Sequence, residues 1–180
     1  MLTRILIAAL ATVFLIAPAA TGQDRARSAN AKALGQVNSF WVGSTRQRHA
    51  YDHARVLNRV ATGTPTVEKE IVQGHAAAIR SHSQAAMKEF AALKDSKNQE
   101  VTAHLEKLHK HHQQVLAMCD MLDECCKKPE AESPVVCDCC KNVVKELAAA
   151  EKEAEQLREV LKIAPLDDAA GPKVEGAKQP

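Results

Sequence analysis

VTAHLEKLHKHHQQVLAMCDMLDECCKKPEAESPVVCDCCKNVVKELAAAEKEAEQLREVL, residues 101–161, is the stretch whose reading decides the fold. Its first half repeats at alternating four- and three-residue steps through Val101, Leu105, Leu108, His112, Val115, Cys119, Leu122 and Cys126. Its second half does the same through Val136, Cys140, Val143, Leu147, Ala150, Ala154, Leu157 and Leu161. A repeat of this kind keeps one seam of a helix facing its partners at a shallow angle. Lys127 and Lys128 suit a helix C-terminus, Pro129 stops the run, and Ser133-Pro134 starts another. The stretch therefore predicts two long helices folded back on each other.

Working outward, Val72, Ala76, Ile79, Ser83, Ala86, Phe90 and Leu93 form a third seam. Thr64 and Pro65 read as its N-cap and first turn, and Ser96 to Gln99 as a capping box before the next helix. Expected helices run over 44–62, 65–94, 97–127 and 134–163. Short linkers make neighbours antiparallel. The expectation is an all-α, antiparallel up-down bundle with left-handed heptad packing, three helices long and the N-terminal one shorter. Residues 23–43 form a lead segment that Gly35 and Gly43 weaken as helix, with Phe40 and Trp41 covering one end of the bundle. Residues 164–180 carry Pro, Gly and charge without periodicity and read as a disordered tail.

Residues 1–22 read as an address. Met1 to Arg4 is a short basic start, and Ile5 to Ala17 is an apolar run too short to span about 30 Å of hydrocarbon. Ala20-Thr21-Gly22 offers a cleavage point, which is the layout of a secretory signal peptide. The expectation is a periplasmic or secreted protein with no stable membrane insertion after cleavage, in a compartment that permits disulfides.

Composition narrows the function. The 180 residues are 46% hydrophobic but only 3% aromatic, so the core must come from Ala, Val, Leu and Ile. A net charge of +2 is far from the basic surplus of a nucleic-acid binder. There is no G-x-S-x-G, no phosphate-cradling glycine loop and no H-E-x-x-H, so a non-enzymatic role is expected. The charged face Glu146 to Glu159 reads as solvated surface, with pairing to a helical partner or a second copy as the alternative.

The six Cys and eight His carry the available chemistry. Cys119, Cys125, Cys126, Cys137, Cys139 and Cys140 flank one turn, so folding the hairpin gathers them. Even in number and exported, they fit disulfides such as Cys119–Cys140 and Cys126–Cys137. Equally, sulfur donors select Cu(I) or zinc, and Met118 adds a thioether beside Cys119. Cys137-Asp138-Cys139-Cys140 matches neither paired zinc-finger spacing nor a haem C-x-x-C-H. Counting along the helices sets His53, His75, His82 and His112 at similar heights, with His49 nearby. Such a band could bind Cu(II), zinc or nickel.

In an exported helical bundle, Met118-Cys119, Cys125-Cys126 and Cys137-x-Cys139-Cys140 resemble the Cys-rich four-helix-bundle copper-binding and copper-storage proteins. The resemblance covers Met118 to Cys140 only. Those proteins line much of the bundle with Cys, often in C-x₃-C steps, whereas here Cys is confined to one end. It implies a soft-metal protein. The expected ligands are Cys119, Cys126, Cys139 and Cys140 assisted by Met118, with copper ion as the cofactor and zinc as the alternative. His53, His75, His82 and His112 form a second site. The competing expectation is a structural or interaction protein whose hairpin is closed by disulfides.

Overall fold

The computed structural model describes residues 22–94, 98–127 and 129–166, with side chains from residue 29 onward. The elements in order are α1 (Gly22–Thr62), β1 (Thr66–Glu68), α2 (Lys69–Ala91), α3 (Gln99–Cys125), β2 (Glu130–Glu132) and α4 (Ser133–Val160). The chain divides into two compact units, Met1–Ala33 and Leu34–Pro180. Of the first, only the opening turns of α1 are described, and residues 29–33 are exposed. The expected signal peptide, apart from Gly22, lies outside the described residues. So does the tail from residue 167.

The second unit is the expected all-α bundle. Every position of the α2 seam is buried, as are all of the α3 and α4 seams except Leu105 and Leu161, which are half-buried. Helix α1 contributes a fourth seam at the same spacing: Phe40, Gly43, Gln47, Ala50, Ala54, Leu57 and Ala61. Cross-helix pairs give the order. His53 meets His75 and His49 meets His82 between α1 and α2. Arg80 binds Asp120 and Asp123 between α2 and α3. His111–Glu146 and His104–Glu153 join α3 to α4, and Arg48–Glu151 closes the ring from α1 to α4. With Phe90 against His112 between α2 and α3, and Thr62 against Cys137 between α1 and α4, one number rises as the other falls in each pair, so neighbours are antiparallel. On the diagonal, Gln47 of α1 reaches His112 of α3.

Three helix starts differ from the sequence expectation. Helix α1 is the longest rather than the shortest, because Gly43 does not break it. A Cβ there would lie 3.0 Å from the Phe90 ring, so the missing side chain is where Phe90 packs. Helix α2 begins at Lys69 rather than Pro65, because Thr66–Glu68 is taken up as β1. Helix α3 is capped by Asn98, whose side-chain oxygen accepts from the Glu100 and Val101 backbone N–H groups. Ser96 lies outside the described residues.

Strands β1 and β2 come from the α1–α2 and α3–α4 connections and pair antiparallel about Val67 and Ala131, both buried. The pairing is two-fold in its details. Lys69 N donates to Pro129 O and Ser133 N to Pro65 O, each at 3.2 Å. Pro65-Thr66-Val67-Glu68 thus answers Pro129-Glu130-Ala131-Glu132. Each proline lacks a backbone N–H, so it ends its connection without leaving a donor unpaired. The two helical hairpins are clamped at the end where the cysteines lie.

The two glycines of α1 should respond oppositely to substitution. Gly43→Leu should destabilise by about 1–3 kcal/mol through overpacking against Phe90. At Gly35, where nothing lies within 4 Å of a built Cβ, Gly35→Ala should stabilise by roughly 0.5–1 kcal/mol. Urea midpoints with unchanged slopes would check both.

Candidate metal centre

Imidazoles from α1 and α2 meet on one side of the bundle. His49 and His53, one turn apart, share a face of α1, and His75 and His82, two turns apart, share a face of α2. The His49 and His82 ring centroids are 5.2 Å apart, His53 and His75 5.3 Å, and His53 and His82 5.7 Å, the last pair stacked. With Asp52 and Val56 these four rings line an open groove. His53 Nδ1 and His75 Nδ1 are 3.2 Å apart, one donating to the other.

That separation has a second chemical meaning. Metal–nitrogen bonds of about 2.0–2.1 Å put adjacent ligands of a tetrahedral site about 3.3 Å apart. The two nitrogens therefore already stand as neighbouring ligands would. Among the described residues no group of three or more His, Cys, Asp or Glu is gathered around one point. A third ligand needs His49 or His82 to turn about its side-chain bonds, and both line an open groove. Electrostatics favour the neutral ring. Burial first, then the neighbouring His53, lowers the His75 pKa. Burial, then His49, His53 and Arg46, lowers that of His82. A neutral imidazole keeps the lone pair a metal needs.

His112 does not join this group. It is fully buried on the α3 seam, its Nε2 3.2 Å from Gln47 Oε1. His112 sits nearer the other end of the bundle, against Gln47 and Phe90, and the seam turns it to the core while His53, His75 and His82 face outward. His49 takes its place. The signal for His49 was present in the sequence, since the i, i+4 spacing to His53 puts both on one face. Asp52 carried no such signal. His104 and His111 instead pair with Glu153 at 2.6 Å and Glu146 at 2.8 Å. Burial raises the Glu153 carboxyl, but hydrogen bonds from His104 and Lys107 outweigh it and leave its pKa lowered.

The six thiols gather as the hairpin requires, and all are free. Cys126, Cys137, Cys139 and Cys140 are buried with Leu57, Val72, Leu122 and Ala131, with Cys125 packed against them. Cys119 lies deeper, beside Ala54, Ile79 and Val143, with Met118 against the same cluster. The seam separates their neighbours. Cys126 Sγ approaches Lys69 O at the start of α2, at 3.8 Å, while Cys137 Sγ lies 3.6 Å from Thr62 Oγ1 of α1. Burial pushes the Cys119 and Cys140 thiols up to about 12. In Cys119, Arg80 opposes this and Asp123, Asp120 and Cys139 add to it. Cys125, Cys126 and Cys139 are raised as well, first by burial. These are protonated thiols at neutral pH, so a metal binding there must displace protons.

Burial also lowers the His112 pKa, to about 4, with His111 and His109 adding to the effect. The unfolded chain, with its ordinary value near 6.5, takes up a proton first as pH falls. His112 therefore contributes its full stability above about pH 6.5 and loses it progressively as pH falls toward its folded value. About 2 kcal/mol should disappear between pH 7 and pH 5. The double variant Gln47→Leu/His112→Leu should lack that part of the slope; urea titrations at both pH values giving equal losses would contradict a neutral, buried His112.

No family model, curated protein or solved structure matches this chain.

Proposed function

We propose that this is an exported, non-enzymatic helical bundle that binds a transition-metal ion, copper first and zinc as the alternative. The observation that carries the reading is the 3.2 Å approach of His53 Nδ1 to His75 Nδ1 inside a cluster of four contacting imidazoles. Nitrogen donors of this kind suit Cu(II) and zinc, with Asp52 at hand as an oxygen donor. Cys119, Cys126, Cys139 and Cys140, with Met118, are the second and softer site, suited to Cu(I). The two donor sets differ in access. The imidazoles line an open groove, whereas the thiols are buried and protonated, so uptake by sulfur is slower and favoured by higher pH.

A second reading has its own observation. Cys119 with Cys139 and Cys140, and Cys125 with Cys139, are close enough to influence one another's ionisation across the hairpin. Pairs drawn from these residues are the natural disulfides of an exported hairpin, making the protein a structural or interaction module.

Calorimetric titration of the full chain with Cu(II) or zinc near neutral pH should give saturable binding. His53→Ala and His75→Ala should each weaken it by at least roughly tenfold, since even outer-shell partners of a metal ligand are worth that much. His109→Ala, at an exposed position outside the groove, should leave it unchanged. Equal affinity in all four proteins would reject the imidazole site. For the thiols, intact mass after alkylation, with and without reduction, separates the readings. Three bridges would dispose of the thiolate site, and four or more free thiols with stoichiometric Cu(I) uptake would dispose of the staple.

A further inference from the structure

The chain's single tryptophan and single tyrosine line one cleft between α1 and α4. Trp41, Ser44, Arg48 and Tyr51 follow at steps of three, four and three residues and so share a face of α1. Leu147, Glu151 and Ala154 answer them from α4, with Glu155 beside them, and the Arg48–Glu151 ion pair at 2.9 Å joins the two walls. The space between is about 160 Å³. Phe40 lines it too, buried in the core and edge-on to Trp41 with ring centroids 5.1 Å apart, which holds the indole in place. In a protein only 3% aromatic, three rings at one open cleft are a concentration that core packing does not explain, since Trp41 and Tyr51 are only half-buried.

The charges in the lining are two carboxylates against one guanidinium. Glu151 and Glu155 are both exposed. Arg158, outside the cleft, binds Glu155 at 2.6 Å and holds its carboxyl below the usual range, so it is ionised at neutral pH. Arg48 is spent on Glu151 in an exposed pair that contributes little by itself. Aromatic faces carry negative potential. Tyr51 already attracts one cation, the Arg55 guanidinium 5.7 Å over its ring. The remaining polar groups are closed to an incoming molecule: Ser44 Oγ is buried, and the buried Gln47 is engaged through Oε1 by His112. We propose that the α1–α4 cleft binds a small alkylated ammonium ion, its methyl groups against Trp41 and Tyr51 and its charge toward Glu151 and Glu155.

The lining argues against other occupants. A carboxylate or phosphate would meet two carboxylates for one guanidinium that is already paired. A neutral apolar molecule gains the rings alone, whereas the ammonium gains rings and charge. A cavity of about 150 Å³ accepts benzene, so there is room for a trimethylammonium head and a short tail. None of these side chains belongs to the imidazole groove or to the thiols, so the proposal stands or falls apart from metal binding.

Trp41, as the only tryptophan, reports on the cleft by its own fluorescence. The full chain is titrated with choline chloride against a sodium chloride blank of matched ionic strength, and with dimethylbutanol, the uncharged carbon analogue of choline. Choline should give a saturable change. Dimethylbutanol should bind roughly three- to thirtyfold more weakly, the worth of the cation–ring attraction. Tyr51→Leu and the double variant Glu151→Gln/Glu155→Gln should each weaken choline binding while the helical circular dichroism is kept. Tyr51→Phe, which retains the ring, should bind as the parent does. Phosphatidylcholine vesicles form a separate arm: co-sedimentation assigns the ammonium to a lipid headgroup, and saturation by choline alone assigns it to a free solute. No saturable change with choline would overturn the proposal. So would equal affinity for choline and dimethylbutanol, or full affinity in both Tyr51→Leu and the double glutamine variant.

Discussion

How closely α1 can approach the other helices governs the rest of this molecule. Its seam is small: Gly43, Ala50, Ala54 and Ala61 are buried, and only Phe40, Gln47 and Leu57 are large. Gly43 admits the Phe90 ring to within a Cβ's reach, and Ala54 packs against Ile79 and Cys119. Small seam residues let helix backbones come near, and a short separation carries the flanking side chains with it. His49 and His53 stand beside that seam, so the close approach of α1 to α2 brings them into ring contact with His82 and His75. A bulkier α1 seam would keep the same four histidines apart.

One physical cause then acts on the two donor types with opposite results. Removal from water favours the neutral form of any titratable group. For His75 and His82 that lowers the pKa and leaves a lone pair exposed. For Cys119 and Cys140 it raises the pKa to about 12 and keeps the proton on sulfur. His75 and His82 are thus held neutral at neutral pH, whereas a metal approaching Cys119 or Cys140 would first have to displace protons. His112 is the extreme of the same trend, neutral to about pH 4 and enclosed by the core.

The paired connections explain why the thiol end holds its shape with so little regular structure. Three residues from each loop form β1 and β2, and the flanking Pro65–Ser133 and Pro129–Lys69 hydrogen bonds close the pairing at both ends. This clamp holds the Lys69 carbonyl beside Cys126 and fixes the end of α1, whose Thr62 reaches Cys137. The recurrence of Pro-x-Val/Ala-Glu was visible in the sequence. Its meaning was not, since three residues cannot announce a strand whose partner is 64 positions away.

The sequence by itself determined the all-α bundle, the seams of α2, α3 and α4 and the gathering of six cysteines at one hairpin. Periodicity and short linkers are local properties, and a hairpin necessarily brings together residues equidistant from its turn. The start of α2, the continuity of α1 and the histidine grouping were decided only in the tertiary structure. Thr66–Glu68 left the helix because β2 was there to pair with it, and Gly43 stayed helical because Phe90 filled its place. Counting along the helices gave only approximate heights. Which side of a helix faces the core depends on where its neighbours stand, and that turned His112 inward and brought His49 to the groove.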